Sequence, residues 1–343
     1  MPRISTTLGL ALFCISSATG FSRAATFEPG VNLSGLEFNS SKKPGRANYD
    51  YAPIKNSELD YYASKGVKVI RLPFLWERLQ PNILAKSPSY ALNSAYLALI
   101  TNVLTYADTK GMGVIVDMHN YGNYYGTKMT TSGGLTTGQF TAAWKQIASA
   151  LKGYHALLGY DLMNEPNGFP IGGTWQKLAQ AGINGVRAAD KVTTIMVEGD
   201  AWAGATAWAT KSATMNTLRD PSQSLVFEAH VYGDRDSSGT HFNWATEAVN
   251  GVTVNTIAQR VSAFDSWCRT KAVSCMVGEI GVGNNSANWN TELKNGLNQM
   301  KADGLVTATY WAGGPWWGSY AMSIEPLNGA DRSQMKVVSS FAN

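Results

Sequence analysis

Eight short, strongly apolar segments recur along the chain, and longer amphipathic segments separate them. The apolar segments include VKVIRL, GVIVDM and TTIMVE, a pattern typical of parallel strands that are buried on both faces. The amphipathic segments predict helices that connect these strands by right-handed crossovers. The predicted strands cover residues 31–35, 67–72, 114–118, 158–163, 193–197, 225–230, 274–278 and 306–311.

This rhythm predicts an α/β fold, a (β/α)8 TIM barrel that forms a single domain over residues 25–343. No Pro/Ser/Thr-rich linker or change of composition marks a second domain. The alternative is a doubly wound open sheet. That fold usually places a glycine-rich phosphate-binding turn after its first strand, and no turn with this spacing follows residue 31.

The first 24 residues predict a secretory signal peptide rather than part of the fold. A basic start is followed by the apolar segment LGLALFCI and then by small residues. We therefore expect a secreted protein, extracellular or periplasmic. Cleavage would remove Cys14 and leave Cys268 and Cys275, which we expect to form a disulfide in an oxidising compartment. Two unpaired buried thiols are the alternative.

Composition excludes several classes of partner. The chain has 28 Lys and Arg against 24 Asp and Glu and no long basic run, so a nucleic-acid partner is not expected. The apolar part of the first segment is too short to span a membrane and no later segment reaches that length, so we expect no membrane contact. The 11 Trp and 15 Tyr suit a ligand with flat apolar faces and hydroxyl edges, such as a sugar. We expect a monomer.

Polar residues stand where the predicted strands end. In a TIM barrel the active site lies at the carboxyl ends of the strands. So many polar groups at one end are hard to explain by stability, because each buried charge needs a partner. In strand order these residues are Arg71, Asp117, His119, Asn120, Asn164, Glu165, Glu198, His230, Tyr232, Glu279 and Trp311.

Glu165 and Glu279 follow the fourth and seventh strands, which face each other across an eight-stranded barrel. Two carboxyl groups about 5–5.5 Å apart hydrolyse a glycoside with retention, one as acid and the other as nucleophile. Arg71 would hold the nucleophile ionised, and a hydroxyl group from Tyr232 would add a hydrogen bond. The residue pattern alone leaves open which Glu has which role.

These motifs together resemble glycoside hydrolase family five over residues 31–317. The segments GVNLSGLEF, DMHNY and SGTH are most similar to its endo-β-1,4-glucanase (cellulase) branch. The resemblance implies that Glu165 is the general acid/base and Glu279 the nucleophile, with a β-glucan as substrate and no metal or organic cofactor. The motifs that carry it are Asn164-Glu165-Pro166, Glu279, Arg71, His119, His230-Val231-Tyr232 and Trp311.

The resemblance also implies substrate contacts. Asn164 would bind the 2-hydroxyl group of the sugar at the cleavage point, Arg71 and Tyr232 would set the nucleophile, and His119 and His230 would line the subsite. Trp311 would stack beneath the sugar. From its loop position we expect Trp202 to stack on the leaving-group side, and one of Trp316 and Trp317 to serve the non-reducing side. Asn120 is a further candidate for substrate binding.

Other functions remain open at this level. A mannanase or xylanase would use the same barrel and the same two carboxylates, because specificity lies in loop contacts. A non-catalytic carbohydrate-binding barrel would be expected to lack one carboxylate, and both are present. A zinc site is not expected, because none of the four His residues form a close ligand pair.

Overall fold

Eight parallel strands close into a barrel in the computed structural model, which describes residues 27–169 and 173–342. Each strand pairs with the next along the chain, and the last pairs with the first. This confirms the predicted (β/α)8 TIM barrel. The predicted signal peptide, residues 1–24, lies outside the described residues. The strands are β1 (Glu28–Leu33), β2 (Val69–Phe74), β3 (Gly113–Met118), β4 (Leu157–Asp161), β5 (Thr194–Glu198), β6 (Leu225–Tyr232), β7 (Ser274–Gly281) and β8 (Thr307–Gly313).

Helices surround the barrel. The longer ones agree closely with the amphipathic segments of the sequence, whereas the short ones are below the length at which helical periodicity is visible. A two-stranded hairpin, Asn123–Tyr124 with Thr127–Lys128, lies in the loop after β3. The helices are α1 (Asn56–Ser64), α2 (Trp76–Leu79), α3 (Ser94–Thr109), α4 (Thr137–Leu151), α5 (Thr174–Ala189), α6 (Trp208–Lys211), α7 (Trp244–Val249), α8 (Thr256–Lys271), α9 (Ala287–Ala302) and α10 (Ser333–Ser339).

The barrel interior has an apolar layer beneath a polar one. The apolar layer consists of Val69, Ile115, Met196, Val226, Met276 and Val306. Side chains that point inward recur every second residue along a strand, so the next inward positions after four of these are Arg71, Asp117, Glu198 and Glu228. The same alternation along the strands therefore places apolar side chains in the lower barrel and charged side chains in the upper barrel.

A disulfide joins α8 to β7. The sulfurs of Cys268 and Cys275 are bonded at 2.10 Å, and both residues are buried. The bond closes the tight turn between the helix and the strand that follows it. Among the described residues, no helix has the length and apolarity needed to cross a membrane.

Asp265 of α8 is a fully buried carboxyl group on the helical layer, away from the barrel interior. Burial, and then the nearby Asp303, raise its pKa to about 8, while Arg269 acts in the opposite direction. In the unfolded chain an Asp has a pKa of about 3.9. The folded form therefore binds a proton more tightly than the unfolded form, and the stability from this group is lost as the pH rises towards 8.

We predict that Asp265→Asn, which mimics the protonated group, stabilises the protein at pH 8.5 relative to the wild type and much less at pH 5. Thermal unfolding at the two pH values measures this, and we expect the difference in Tm between variant and wild type to grow by several degrees. An equal difference at both pH values would contradict the prediction.

Candidate active site

Arg71 occupies the centre of the upper barrel, where its side chain is fully buried. It lies in β2, two residues after Val69 of the apolar layer, and so points inward. Its guanidinium group donates hydrogen bonds to the side-chain oxygens of Asn32 at 3.0 Å and Asn164 at 2.9 Å. Five carboxyl groups surround it within 3.1 Å: Asp117 (3.1 Å), Asp161 (2.7 Å), Glu198 (2.8 Å), Glu228 (3.0 Å) and Glu279 (3.1 Å).

The strand register places these acids side by side. Asp117 pairs with Asp161 across β3 and β4, and Glu198 pairs with Glu228 across β5 and β6. Gly278 of β7 makes room for this cluster, because a Cβ atom there would lie 1.6 Å from an oxygen of Glu228. Like charges in a buried space repel, so the arrangement requires both the Arg71 cation and bound protons.

Burial controls the protonation of this cluster. It raises the pKa of Asp117 to about 8, against the attraction of Arg71, and it raises the pKa of Asp161 and Glu198 well above the usual range. Asp117 and Asp161 each keep one oxygen without a hydrogen-bond partner. These two carboxyls therefore have a free oxygen on which a proton can reside.

Glu165 and Glu279 lie close together above this cluster. Each offers a carboxylate oxygen within 4.8 Å of the other. An oxygen of Glu279 lies 3.1 Å from the Arg71 guanidinium, and the other accepts a hydrogen bond from the hydroxyl group of Tyr232. Glu165 has no Arg or Lys partner at ion-pair distance among the described residues and is the more exposed, at 18% against 4% for its side chain.

His230 lies between the two carboxyls. Its Nδ1 is 3.0 Å from Glu165 and 3.6 Å from Glu279, and its Nε2 is 3.3 Å from Glu198. Burial by itself lowers the pKa of this imidazole, but the surrounding carboxylates, first Glu198 and then Glu279, raise it well above its usual value. His230 is therefore the second cation of the site.

His119 is held differently. Its Nδ1 lies 2.7 Å from Asp117, and its Nε2 faces the side-chain amide of Asn164 at 3.3 Å and the hydroxyl group of Tyr121 at 3.1 Å. Burial lowers its pKa, so the ring is neutral and donates through Nδ1. The indole ring of Trp311 stacks on this imidazole at 5.4 Å between ring centres.

A cleft of about 600 Å3 opens on one side of Glu165, His230 and Tyr232. Trp202 lines it and is 58% exposed. Of the two adjacent indoles after β8, Trp316 is exposed at 43%, whereas Trp317 packs against Trp311.

Asn120 makes hydrogen bonds to other parts of the protein through its side chain. Its side-chain oxygen accepts from the backbone N–H of Trp76 at 2.8 Å, and its amide donates to Glu77 at 2.7 Å. The buried amide therefore holds the first turn of α2. Its role in substrate binding stays a prediction.

Sequence reasoning did not single out Asp161 and Glu228, although both touch Arg71. They stand inside the apolar segments GYDLM and LVFEAH. A charge in the middle of a buried strand is the signal that would have found them, because such a charge needs a buried partner. Asp117, one of the polar strand-end residues, contacts both His119 and Arg71.

Three clusters in the described residues bring carboxylate and imidazole atoms within 4.8 Å of one another, a spacing that a metal ion could bridge. In the first two clusters, Arg71 or His230 already lies at ion-pair distance from the carboxylates. In the third, both oxygens of Asp234 accept backbone N–H groups of its own loop. The clusters are Glu165/His230/Glu279, Glu198/Glu228/His230 and Asp234/Asp236/His241.

Comparison with known proteins places this chain among the glycoside hydrolases. The family model described as cellulase (glycosyl hydrolase family 5) matches residues 27–315. The chain belongs to this family. It is 32% identical to endoglucanase gh5-1 of Neurospora crassa, over 88% of this chain and 73% of that protein. It is 31% identical to endo-beta-1,4-glucanase B of Emericella nidulans, over 88% and 86% of the two chains.

Solved structures of endoglucanases are also similar to this chain. The endoglucanase Cel5A of Pseudomonas stutzeri, solved in complex with cellobiose, is 33% identical and superposes with a TM-score of 0.86 over 94% of this chain and 93% of that one. XacCel5A, solved in complex with cellopentaose, is 34% identical with a TM-score of 0.85 over 92% and 99%. The predicted enzyme class, a glycoside hydrolase of the endoglucanase type, is confirmed.

We predict that Arg71→Met lowers the free energy of unfolding by about 3–5 kcal/mol at pH 7, because it leaves buried carboxylates without their cation. The loss is smaller at pH 4.5, where the carboxyls carry more protons. Denaturant unfolding at both pH values measures this.

Arg78→Met is the matched control. Arg78 is also buried, but its guanidinium donates to backbone carbonyls such as those of Leu36 and Phe38. Its loss should cost stability to the same extent at both pH values. A pH-independent cost for the Arg71 variant would contradict the prediction.

Proposed function

We propose that the protein is a retaining endo-β-1,4-glucanase that hydrolyses internal bonds of cellulose and soluble β-glucans, with Glu165 as general acid/base and Glu279 as nucleophile. The observation that carries the proposal is the spacing of the two carboxylates, whose oxygens approach within 4.8 Å. This favours retention, since inversion needs room for a water between carboxyl groups about 6.5–9.5 Å apart.

The partners of the two groups support the assignment of roles. Arg71 and Tyr232 both bind Glu279, so the proposed nucleophile has a guanidinium against one oxygen and a hydroxyl donor against the other. Glu165 lacks such a guanidinium contact, and its larger exposure to the cleft leaves it accessible to a glycosidic oxygen and to water.

The reaction would proceed in two displacements. In the first, an oxygen of Glu279 bonds to the anomeric carbon as the glycosidic bond breaks, and Glu165 gives its proton to the leaving oxygen. In the second, Glu165 takes a proton from water as that water attacks the anomeric carbon and releases Glu279. The product keeps the β configuration because two inversions cancel.

The substrate would be held by hydrogen bonds and stacking. Asn164, fixed by Arg71, would bind the 2-hydroxyl group, and Trp311, fixed against His119, would support the sugar at the cleavage point. Trp202 and Trp316 would extend the stacking surface on opposite sides. The cellobiose and cellopentaose complexes of the similar endoglucanases support a cello-oligosaccharide in this cleft.

We also propose that residues 1–24 are a signal peptide and that the enzyme is exported. The disulfide between Cys268 and Cys275 supports this, because such bonds persist mainly in oxidising compartments.

We predict that Glu165→Ala and Glu279→Ala each lower kcat on cellopentaose by about a thousandfold or more. Azide then separates the two roles on an activated aryl β-cellobioside. In a variant without the acid/base, azide attacks the glycosyl-enzyme and gives the β-azide. In a variant without the nucleophile, azide attacks the substrate directly and gives the α-azide.

NMR of the azide products assigns the anomers, with wild-type protein as the control. The α-azide from Glu165→Ala and the β-azide from Glu279→Ala would reverse the two roles. An initial α-configured sugar product from the wild type would rule out retention.

We predict that Trp202→Ala raises KM for cellopentaose roughly 3- to 10-fold, as expected for loss of an aromatic contact of about 1 kcal/mol. Stability should change little because the side chain is mostly exposed. Trp208→Ala is the contrasting control, since Trp208 is buried against Phe264 and Trp267. It should lower stability by about 3–5 kcal/mol. An unchanged KM for Trp202→Ala would remove this residue from the substrate contacts.

A further inference from the structure

Glu198, the last residue of β5, contacts three groups of the site at once. It is fully buried. One oxygen lies 2.8 Å from the Arg71 guanidinium and 3.3 Å from Nε2 of His230. The other oxygen accepts the backbone N–H of Glu165 at 2.6 Å. Both oxygens therefore face nitrogen atoms, and these contacts fix the orientation of the side chain.

The backbone of Glu165 needs such a contact. Its φ of +44° lies in the left-handed region, which costs a residue with a Cβ atom about 1–2 kcal/mol. The residue follows β4 in a loop, so no strand ladder fixes its conformation. The hydrogen bond to Glu198 holds the N–H in place, and the direction of the N–H sets the direction in which the side chain leaves the backbone.

We propose that Glu198 is a positioning residue for the acid/base: it holds the strained backbone of Glu165, so that the Glu165 carboxyl group points at the glycosidic oxygen. The inference rests on the proposed function, because it assigns a partner to the group proposed to protonate the leaving oxygen. Glu198 also contacts His230. The Nδ1 atom of this imidazole faces the Glu165 carboxyl group, and its Nε2 atom faces Glu198.

Asp161 provides a matched comparison. It is equally buried and lies 2.7 Å from the same Arg71 nitrogen that contacts Glu198. It has no hydrogen bond to Glu165 among the described contacts. A defect that arises only from disturbing the charge cluster should appear in variants of both residues, whereas a defect in proton donation should appear only at Glu198.

The test uses the leaving group as the readout. With 2,4-dinitrophenyl β-cellobioside the leaving phenolate needs no proton, whereas with a 4-methylphenyl β-cellobioside it does. We expect Glu198→Gln to lower kcat/KM roughly 10- to 100-fold on the second substrate and at most about threefold on the first. We expect Asp161→Asn to lower both values by the same factor.

Glu198→Asp is a second, more conservative variant. Thermal unfolding checks that each variant is folded. Glu198→Asp keeps a carboxylate beside Arg71 but is one methylene shorter and withdraws from the Glu165 N–H. It should show the same selective loss. Equal losses on both substrates in the Glu198 variants would overturn the inference.

Glu165→Ala in the same series tests the proposed function separately. Selective loss in Glu165→Ala without selective loss in the Glu198 variants would overturn the inference alone. Equal loss on both substrates in Glu165→Ala would overturn the acid/base role and, with it, the inference.

Discussion

The buried Arg71 guanidinium is the interaction on which the rest of the site depends. An eight-stranded barrel has room inside only for side chains, and here the layer above the hydrocarbon consists largely of carboxyl groups. One guanidinium and one imidazole face more acids than they can neutralise. The layer is stable only if some carboxyls keep their protons, which burial favours for Asp117 and Asp161.

The same cluster makes the two proposed catalytic carboxyls different from each other. Glu279 lies against the guanidinium of Arg71 and the hydroxyl group of Tyr232, which contact its two oxygens. Glu165 is more exposed than Glu279 and lies beside His230. Its strained backbone donates a hydrogen bond to Glu198. Two chemically identical side chains within a few ångströms thus gain different proposed roles from their partners, a recurring principle in acid/base catalysis.

Much of this could be predicted from the order of residues, and the failures have physical causes. Strand-end positions identified Arg71, Glu165 and Glu279, because a parallel barrel collects the carboxyl ends of its strands on one face. Asp161 was missed because it stands within an apolar segment that was interpreted only as a buried strand, although the charge inside that strand required a buried partner. The contacts of Asn120 with Trp76 and Glu77 were not foreseen, because partners in a distant segment of the chain are not visible in a local pattern.

The sequence by itself determined the number and order of the strands, the apolar floor of the barrel and the residues that reach its upper face. These follow from local alternation, which each segment carries on its own. Only the tertiary structure decided that Glu165 and Glu279 approach within 4.8 Å, and that Arg71 contacts one and not the other. Those distances depend on barrel closure and on the register between strands far apart in the chain, which no local pattern encodes.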